Sequence, residues 1–340
     1  MADKKIILAV AGSGKTTNLI DKLNLTERFY LVTYTITNAS LIRLRIIKRF
    51  GYLPINILVF TYFNFLYSFC IKPFLFYKYK LKGVYLENSP DYTNYLKNAD
   101  KKKYISSSGY VYHNRLAKLI EFENLIEDVK LRLEKFCDHF YFDEVQDLGS
   151  HDFNFMLELS KSNLNFLFVG DFYQNTYVTS FDRNVNGSLY KDYSKFLKRY
   201  REYGIDIDLN TLSNSWRCSP TICNYITENL GIQISSHRTD QTQITLIEDK
   251  EILYTILKDD GIIKLVYNNA SKRNFRAKNW GECKGEDDFI DTCIIMNVTT
   301  FNLYKKGTLS MLANRTKNKL YVALSRTRGN CYLVSEKLLE

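Results

Sequence analysis

Short apolar runs alternate with amphipathic stretches along the first half of the chain. The runs Ile6–Leu8 and Phe29–Val32 are each followed by helical periodicity, which begins at Thr16 after the first run and extends from Ala39 to Phe50 after the second. A strand, a helix and a further strand in succession are typical of βαβ units, which form parallel sheets. More strands are predicted at 57–60, 139–142 and 165–169. Each ends in a polar or glycine-containing turn, where α/β sheets bind their ligands.

Two changes in this pattern divide the chain. A stretch rich in Lys, Tyr and Pro at about 72–112 predicts an insertion, either a small subdomain or a long surface loop. A second strand-and-helix series begins near Ile205. Its predicted elements are strands at 262–267, 289–296 and 332–334 and a helix around 316–324. We therefore predict an α/β fold with two domains, residues 1–180 and 205–340, and a hinge near 176–205.

Composition narrows the class of protein. The 340 residues are 45% hydrophobic, which suits a folded globular protein, and Lys and Arg outnumber Asp and Glu by 47 to 37. This surplus favours a polyanionic partner, although ordinary soluble proteins also carry such a surplus. The seven cysteines show no C-x-x-C spacing, which predicts reduced, packed thiols. No apolar run approaches the ~20 residues that span a bilayer, and the start is charged, so we expect no membrane contact, no signal peptide and a cytoplasmic location.

The strongest local signal is a glycine-rich turn between the first predicted strand and the first predicted helix. It consists of Ala11, Gly12, Ser13, Gly14, Lys15, Thr16 and Thr17. Backbone N–H groups of such a turn surround phosphate oxygens, and the following helix N-terminus attracts the same charge. Lys15 would reach the terminal phosphates and the Thr16 hydroxyl would bind Mg²⁺. Ala9 replaces the first glycine of the general pattern, yet a phosphate-binding loop is a better interpretation than a plain turn.

An acidic cluster follows the strand predicted at 139–142. Asp143 and Glu144 stand at its end, with Gln146 and Asp147 just beyond. Alone, such a pair is more often a turn or a helix cap. After a phosphate-binding loop it predicts that Asp143 binds Mg²⁺ and that Glu144 orients and deprotonates the attacking water.

Further motifs follow in a definite order along the chain. They are Thr33–Tyr34–Thr35, Thr61–Tyr62–Phe63–Asn64–Phe65, Gly170–Asp171 with Gln174, Leu212 to Ser219, Cys283 to Phe289, and Leu320 to Arg328. Together with the phosphate-binding loop, this series resembles the motifs of UvrD/Rep-type superfamily 1 helicases. The resemblance extends over most of the chain except the insertion. It implies two RecA-like P-loop NTPase domains with an ATP cleft between them.

The resemblance also implies roles for residues at the ATP site. Gln174 would sense the γ-phosphate, and Arg217 and Arg326 would supply the positive charge that phosphoryl transfer requires. An ion pair at Arg217 and a helix-terminal charge at Arg326 are the structural alternatives. Trp216 would stack on the adenine, unless it is a core residue. Gly285 and Glu286 would bind the nucleotide, with Asp287 as an alternative ribose contact.

Contacts to a single nucleic-acid strand are implied at Thr33, Tyr62, Phe63 and Phe181. Phe181 is included as the nearest aromatic residue, because Thr179 occupies the position where the family commonly has a base-stacking Trp. The aromatic residues of the 61–65 motif are as easily explained as core residues. A second departure is the short stretch between Arg217 and Lys284, where typical members insert a whole domain.

The leading hypothesis is an ATP- and Mg²⁺-dependent helicase or translocase on single-stranded DNA, with RNA left open. Its direction, 3′-to-5′, is implied by the resemblance alone. The alternative is a nucleic-acid-stimulated ATPase subunit that senses DNA and recruits a protein partner, such as a nuclease in phage defence or repair, without unwinding. A third hypothesis, a protein that binds nucleotide without turnover, fits poorly with the full set of predicted catalytic residues.

Overall fold

A computed structural model describes residues 2–176, 185–286 and 288–339. Within it the chain forms two units, each assembled from separated segments. The first comprises Met1–Ile7, Thr16–Gly170 and Tyr177–Asp208, and the second comprises Leu8–Lys15, Asp171–Thr176 and Leu209–Glu340, as far as these ranges are described. The phosphate-binding loop thus groups with the second unit up to Lys15. The domain boundaries predicted from sequence remain a prediction.

The first unit contains the elements from β1 to β8. Its strands are β1 (Lys4–Leu8), β2 (Phe29–Thr33), β3 (Ile57–Thr61), β4 (Gly83–Tyr85), β5 (Tyr110–Tyr112), β6 (His139–Asp143), β7 (Asn165–Gly170) and β8 (Asp206–Asp208). Its helices are α1 (Lys15–Asp21), α2 (Ile36–Phe50), α3 (Tyr62–Asn64), α4 (Lys72–Tyr79), α5 (Leu116–Phe122), α6 (Ile126–Phe136), α7 (Ser150–Leu159) and α8 (Tyr193–Glu202). A π-helical segment, Phe65–Ile71, joins α3 to α4.

Six of these strands form one sheet in the order β3-β2-β6-β7-β1-β8. The pairs β2–β3, β2–β6, β6–β7 and β1–β8 are parallel. All five residues of β2 are buried, as expected for a central strand with helices on both faces. In the register of the sheet, Thr33 pairs with Thr61, and Asp143 pairs with Val169. The carboxyl ends of β2, β3, β6 and β7 therefore lie at one edge, where the sequence predicted ligand-binding residues.

Most strands and helices predicted for the first half of the chain are confirmed. The runs predicted at 57–60, 139–142 and 165–169 correspond to β3, β6 and β7. The predicted insertion contains α4 and the parallel pair β4–β5. Its limits at about 72 and 112 stay a prediction. The short strand β8 was missed because its alternating acidic residues, Asp206 and Asp208, do not resemble a buried strand.

The second unit contains the remaining elements. Its strands are β9 (Asn214–Ser215), β10 (Ser235–Ser236), β11 (Ile244–Ile247), β12 (Ile262–Val266), β13 (Ala277–Asn279), β14 (Asp291–Met296) and β15 (Cys331–Ser335). Its helices are α9 (Pro220–Leu230), α10 (Lys250–Lys258), α11 (Val298–Lys305) and α12 (Asn314–Leu324). Strands β9 and β10 pair with each other. A five-stranded parallel sheet has the order β11-β15-β14-β12-β13.

Alternate residues of this second sheet enter two different cores. Ile263, Leu265 and Ile294 belong to a cluster with residues of α9 and α12, such as Ile226 and Leu320. Their strand neighbours Val266, Cys293 and Ile295 belong to a cluster with Leu253 and Ile256 of α10. Because successive strand side chains point to opposite faces, the sheet is covered on both faces. This explains the near-continuous apolar runs in its sequence. The strand predicted at 289–296 begins two residues late, at Asp291.

The structure fits the mixed α/β class predicted from sequence. All seven cysteines are buried and unbonded to one another. Across the described ranges, no helix combines the length and the apolarity that a membrane span requires.

Candidate nucleotide-binding residues

A hydroxyl and a carboxylate meet in the first unit. Thr16, in the first turn of α1, donates a hydrogen bond from Oγ1 to Asp143 Oδ2 over 3.0 Å. Asp143 ends β6 and is buried, and its Oδ1 accepts the Glu144 N–H at 3.0 Å. Thr17 is exposed, and its hydroxyl accepts a hydrogen bond from Arg45. The two residues predicted to bind Mg²⁺ are therefore adjacent, each held by the element that carries it.

Their chemistry fits Mg²⁺. The ion prefers oxygen ligands and is usually bound by one or two carboxylates, the rest of its shell being waters and substrate phosphates. Thr16 and Asp143 offer this partial set. Among the described residues, no group of three or more His, Cys, Asp or Glu side chains could hold a metal by itself. A complete Mg²⁺ shell would therefore need ligands besides Thr16 and Asp143, such as waters or substrate phosphates.

Glu144 has an unusual backbone. Its φ is 62° and its ψ is 44°, a left-handed conformation that residues other than glycine rarely adopt. The Gln146 side chain donates a hydrogen bond to Glu144 Oε2. A Cβ added at Gly170, the end of β7, would lie 2.5 Å from Gln146 Oε1 and 2.7 Å from Val145 Cγ1. Close packing on a neighbouring strand therefore holds the acidic turn in a strained shape, as is common where a side chain must be aimed.

In the second unit, the phosphate-binding loop is tied down through its backbone. The Val10 N–H donates to the Leu212 carbonyl at 3.0 Å, and the Trp216 N–H donates to the Gly12 carbonyl at 2.9 Å. The Ser13 hydroxyl closes the loop on itself by donating to the Val10 carbonyl at 2.8 Å. These bonds leave the loop little freedom.

Gly12 is required by space as well as by conformation. Its φ is +72°, and a Cβ there would lie 2.6 Å from Arg217 Cβ and 2.7 Å from Ser215 Oγ. Gly14 also has a positive φ, of 88°. The loop thus packs directly on Arg217, which the resemblance assigned to the same site.

Tyr321 connects the loop to the segment after β7. Its hydroxyl accepts the Ala11 N–H at 2.9 Å and donates to Asp171 Oδ2 at 2.9 Å. The other carboxylate oxygen of Asp171 accepts the Tyr173 N–H at 3.1 Å. Tyr321 is fully buried, and burial followed by the nearby Asp171 charge raises its pKa well above the usual value. The hydroxyl therefore stays protonated and can make both bonds.

Both predicted arginines have specific partners. Arg326 is buried, with Nη1 donating to the Glu286 carbonyl at 2.9 Å and Nη2 lying 3.5 Å from Gln174 Oε1. Arg217 Nη1 donates to the Ser325 carbonyl at 3.1 Å. Gln174 is itself buried. Arg326 directly follows the C-cap of α12, Ser325, so it does lie at a helix end, but its side chain is buried.

Glu286 has a competing partner. Both of its carboxylate oxygens lie 2.5 Å from Lys278 Nζ. Gly285 has a φ of 89°, which suits the turn that precedes Glu286. The ribose-contacting role predicted for Glu286 would require it to share or release Lys278. Asp287, the alternative, lies outside the described residues.

Trp216 is a surface residue. Its side chain is 65% exposed, and its ring stacks on His237 with centroids 3.9 Å apart and an angle of 17° between the planes. The core alternative for Trp216 is therefore wrong. Trp280, fully buried, is the core tryptophan. An exposed, supported indole is a suitable surface for stacking on a nucleobase.

The residues predicted to contact nucleic acid are placed differently. Thr33 and Tyr62 are fully buried, and the Tyr62 hydroxyl donates to Asp152 Oδ1 at 3.1 Å. Phe65 is buried as well. Direct contact of Thr33 and Tyr62 with a nucleic-acid strand is inconsistent with this burial, because neither side chain reaches the surface. Phe63 is partly exposed and packs near His113. Phe181 lies outside the described residues.

Sequence reasoning missed Tyr321, His237 and Lys278. Tyr321 lies inside the motif that supplied Arg326, so its place in the motif was a signal that could have found it. His237 and Lys278 belong to none of the motifs in the sequence, because each acts through its contact with another residue, Trp216 for His237 and Glu286 for Lys278.

No protein-family model and no curated protein sequence matches the chain. Among solved structures, it is similar to the arterivirus nonstructural protein 10 helicase in complex with DNA, with a TM-score of 0.50, 12% identity, and coverage of 99% of this chain and 62% of that one. It is also similar to the arterivirus nonstructural protein 10 helicase in a second crystal structure, with a TM-score of 0.48, 12% identity, and coverage of 99% of this chain and 61% of that one. Its similarity to the PRRSV helicase has a TM-score of 0.47, 15% identity, and coverage of 98% of this chain and 52% of that one. The chain thus spans less than two thirds of these helicases. At 12% identity, the likeness to the first shows a similar α/β fold, and it does not single out the UvrD/Rep group.

Proposed function

We propose that this chain is a nucleoside-triphosphate-hydrolysing motor, specifically an ATP- and Mg²⁺-dependent helicase or translocase on single-stranded DNA. The observation that carries the proposal is the packing of Gly12 on Arg217, with Arg326 and Gln174 held together in the same unit. A glycine-rich turn with a purely structural role would not require two arginines and a buried glutamine in the same unit. Phosphoryl transfer needs positive charge where negative charge develops.

Each residue has a defined task in this proposal. Backbone N–H groups from Gly12 to Thr16 bind phosphate oxygens, and Lys15 binds the terminal phosphates. Thr16 and Asp143 hold Mg²⁺, which neutralises phosphate charge when bound. Glu144 orients and deprotonates the attacking water, and Trp216 stacks on the base.

The arginines and Gln174 complete the chemistry. Arg217 and Arg326 stabilise the charge of the transition state. Gln174, whose Oε1 lies 3.5 Å from Arg326 Nη2, senses the γ-phosphate beside this arginine. Gly285 and Glu286 contact the nucleotide. The direction of travel, 3′-to-5′, rests on the motif resemblance to the UvrD/Rep group.

Nucleic-acid contact is the part of the proposal with the least local support. Phe63 and Phe181 remain candidates for stacking, whereas Thr33 and Tyr62 are buried and are no longer proposed as direct contacts. Support comes from the fold likeness and from the basic composition of the chain.

The first experiment measures ATP turnover by the full chain with and without a single strand of about 30 nucleotides. We expect the strand to stimulate turnover and Lys15→Ala to reduce it by more than about 100-fold. Lys22→Ala, an exposed lysine just beyond α1, is the control and should keep full activity. The motor proposal is wrong if the single strand does not raise the rate of ATP turnover, or if the Lys15→Ala variant turns over ATP at the normal rate.

The stretch between Arg217 and Lys284 supports a second candidate function. It is filled by α9, α10 and strands β10 to β13, all elements of the second unit itself, with no added domain. A nucleic-acid-stimulated ATPase that recruits a protein partner, such as a nuclease, would not need an added domain in this stretch. Strand-stimulated turnover without displacement of a labelled strand from a partial duplex would favour this candidate.

A further inference from the structure

A groove of about 510 Å³ lies on the second unit, among residues that the proposed ATPase does not use. It is lined on one side by a single face of α10, formed by Lys250, Leu253, Tyr254 and Leu257. The segment 272–275 and the pair Leu338–Leu339 line the rest. The spacing i, i+3, i+4, i+7 explains why these four helical residues share a face. The volume is in the range of specific ligand pockets.

The floor of the groove is apolar and firmly supported. Leu253 is buried in the core beneath α10, and four partly buried side chains pack on that core: Leu257, Phe275, Leu338 and Leu339. The floor is therefore apolar and is dominated by leucine.

The rim of the groove is cationic. Lys250, Lys272 and Arg273 line it, whereas no Asp or Glu does so. Within the described ranges, their side chains form no ion pair or hydrogen bond. The Arg273 Nε is buried, with no acceptor among the described residues.

The geometry points to a binding site for an acidic peptide segment of a partner protein. Aliphatic side chains of the segment would lie on the leucine floor, and its carboxylates would meet the rim. A guanidinium binds a carboxylate through two parallel hydrogen bonds, so Arg273, which lines the groove, could bind a carboxylate of the segment in this way. Charge complementarity would set the orientation and discriminate against basic partners.

A nucleic-acid strand fits the groove less well. Single strands bind where aromatic platforms alternate with backbone-tracking cations. Here the floor is mainly leucine. The exposed aromatic residue, Tyr254, already has Lys258 Nζ 4.1 Å from its ring centroid. Apolar side chains of a peptide would bury this floor better than phosphodiesters.

The test begins with a displayed library of random twelve-residue peptides, selected on the full chain. We expect a consensus that combines Asp or Glu with Leu, Ile or Phe. A synthetic peptide of that consensus should bind at least 10-fold more weakly to the double variant Lys272→Ser with Arg273→Ser. The matched control, Lys195→Ser with Lys306→Ser, removes two exposed lysines elsewhere and should bind as the unaltered chain does.

Three results would overturn the proposal. The first is a set of selected peptides that lacks acidic residues. The second is a consensus peptide that binds the double variant as tightly as it binds the control. The third is a double variant whose affinity for a single DNA strand of about 20 nucleotides falls as much as its affinity for the peptide. The last result would assign the groove to nucleic acid. Unstimulated ATP turnover should be equal in both variants, so failure of the proposed motor would not be confused with failure of this site.

Discussion

At the scale of single residues, Gly12 has the strictest requirement. Its positive φ and the atoms of Arg217 and Ser215 leave no room for a side chain. We expect Gly12→Ala to destabilise the protein by about 1–3 kcal/mol and to weaken nucleotide binding, because either the loop or Arg217 must move. Denaturant unfolding and titration with a fluorescent ATP analogue measure the two effects.

Gly231 supplies the control for this prediction. It has a similar φ of +68° but no atom within 4 Å of an added Cβ. Gly231→Ala should therefore show only the cost of the left-handed backbone, about 1 kcal/mol, and unchanged nucleotide binding. Equal losses for the two variants would show that close packing on Arg217 is unimportant.

Tyr321 tests the link between the loop and Asp171. Tyr321→Phe keeps the ring but leaves the Ala11 N–H and Asp171 Oδ2 each without this partner. We expect a loss of about 1–3 kcal/mol in unfolding free energy and weaker ATP binding. Thermal melting with and without ATP separates the two contributions.

Tyr200 is a matched comparison for Tyr321. It is also fully buried, but its hydroxyl has no hydrogen-bond partner among the described residues. Tyr200→Phe should be neutral or stabilising, because it removes an unsatisfied polar group. If both tyrosine variants behave alike, the hydroxyl bridge of Tyr321 contributes nothing.

At the scale of elements, the end of β6 and the start of α1 form the proposed metal site. Asp143→Asn keeps the shape of the side chain but removes the charge that attracts Mg²⁺. We expect the Mg²⁺ concentration for half-maximal ATP turnover to rise at least about 10-fold. Asp249→Asn, which alters the N-cap of α10, is the control and should leave the Mg²⁺ requirement unchanged. A normal Mg²⁺ requirement in Asp143→Asn would place the metal elsewhere.

At the scale of the whole molecule, buried tyrosines predict sensitivity to alkaline pH. Burial raises the pKa of Tyr62, Tyr190, Tyr200 and Tyr321 well above the usual value. In the unfolded chain these groups lose protons near pH 10, whereas in the folded chain they keep them. Because the folded state then binds more protons, stability is complete below about pH 10 and falls as the pH rises further.

Melting temperature between pH 8 and pH 11 measures this effect. Tyr200→Phe should lessen the alkaline decline, since one titrating group is lost from the unfolded chain. A melting temperature that stays constant to pH 11 would contradict the burial of these hydroxyls.

The sequence by itself predicted the main strands of both sheets, and it predicted a phosphate-binding role for the glycine-rich turn between the first strand and the first helix. Both follow from local rules, since apolar periodicity sets the element and a glycine-rich turn before a helix presents N–H groups to phosphate. The acidic turn at Asp143 and its place at a strand end were predictable for the same reason.

The tertiary structure alone decided which side chains face outward and which meet. Trp216 became a surface residue on His237, whereas Tyr62 became a core residue held by Asp152. Lys278 forms an ion pair with Glu286, and the Tyr321 hydroxyl is hydrogen-bonded to both Ala11 and Asp171. Apart from Lys278 and Glu286, which are eight positions apart, these partners lie far apart in sequence. Their pairing depends on how sheets and helices pack, and no local pattern of residues contains that information.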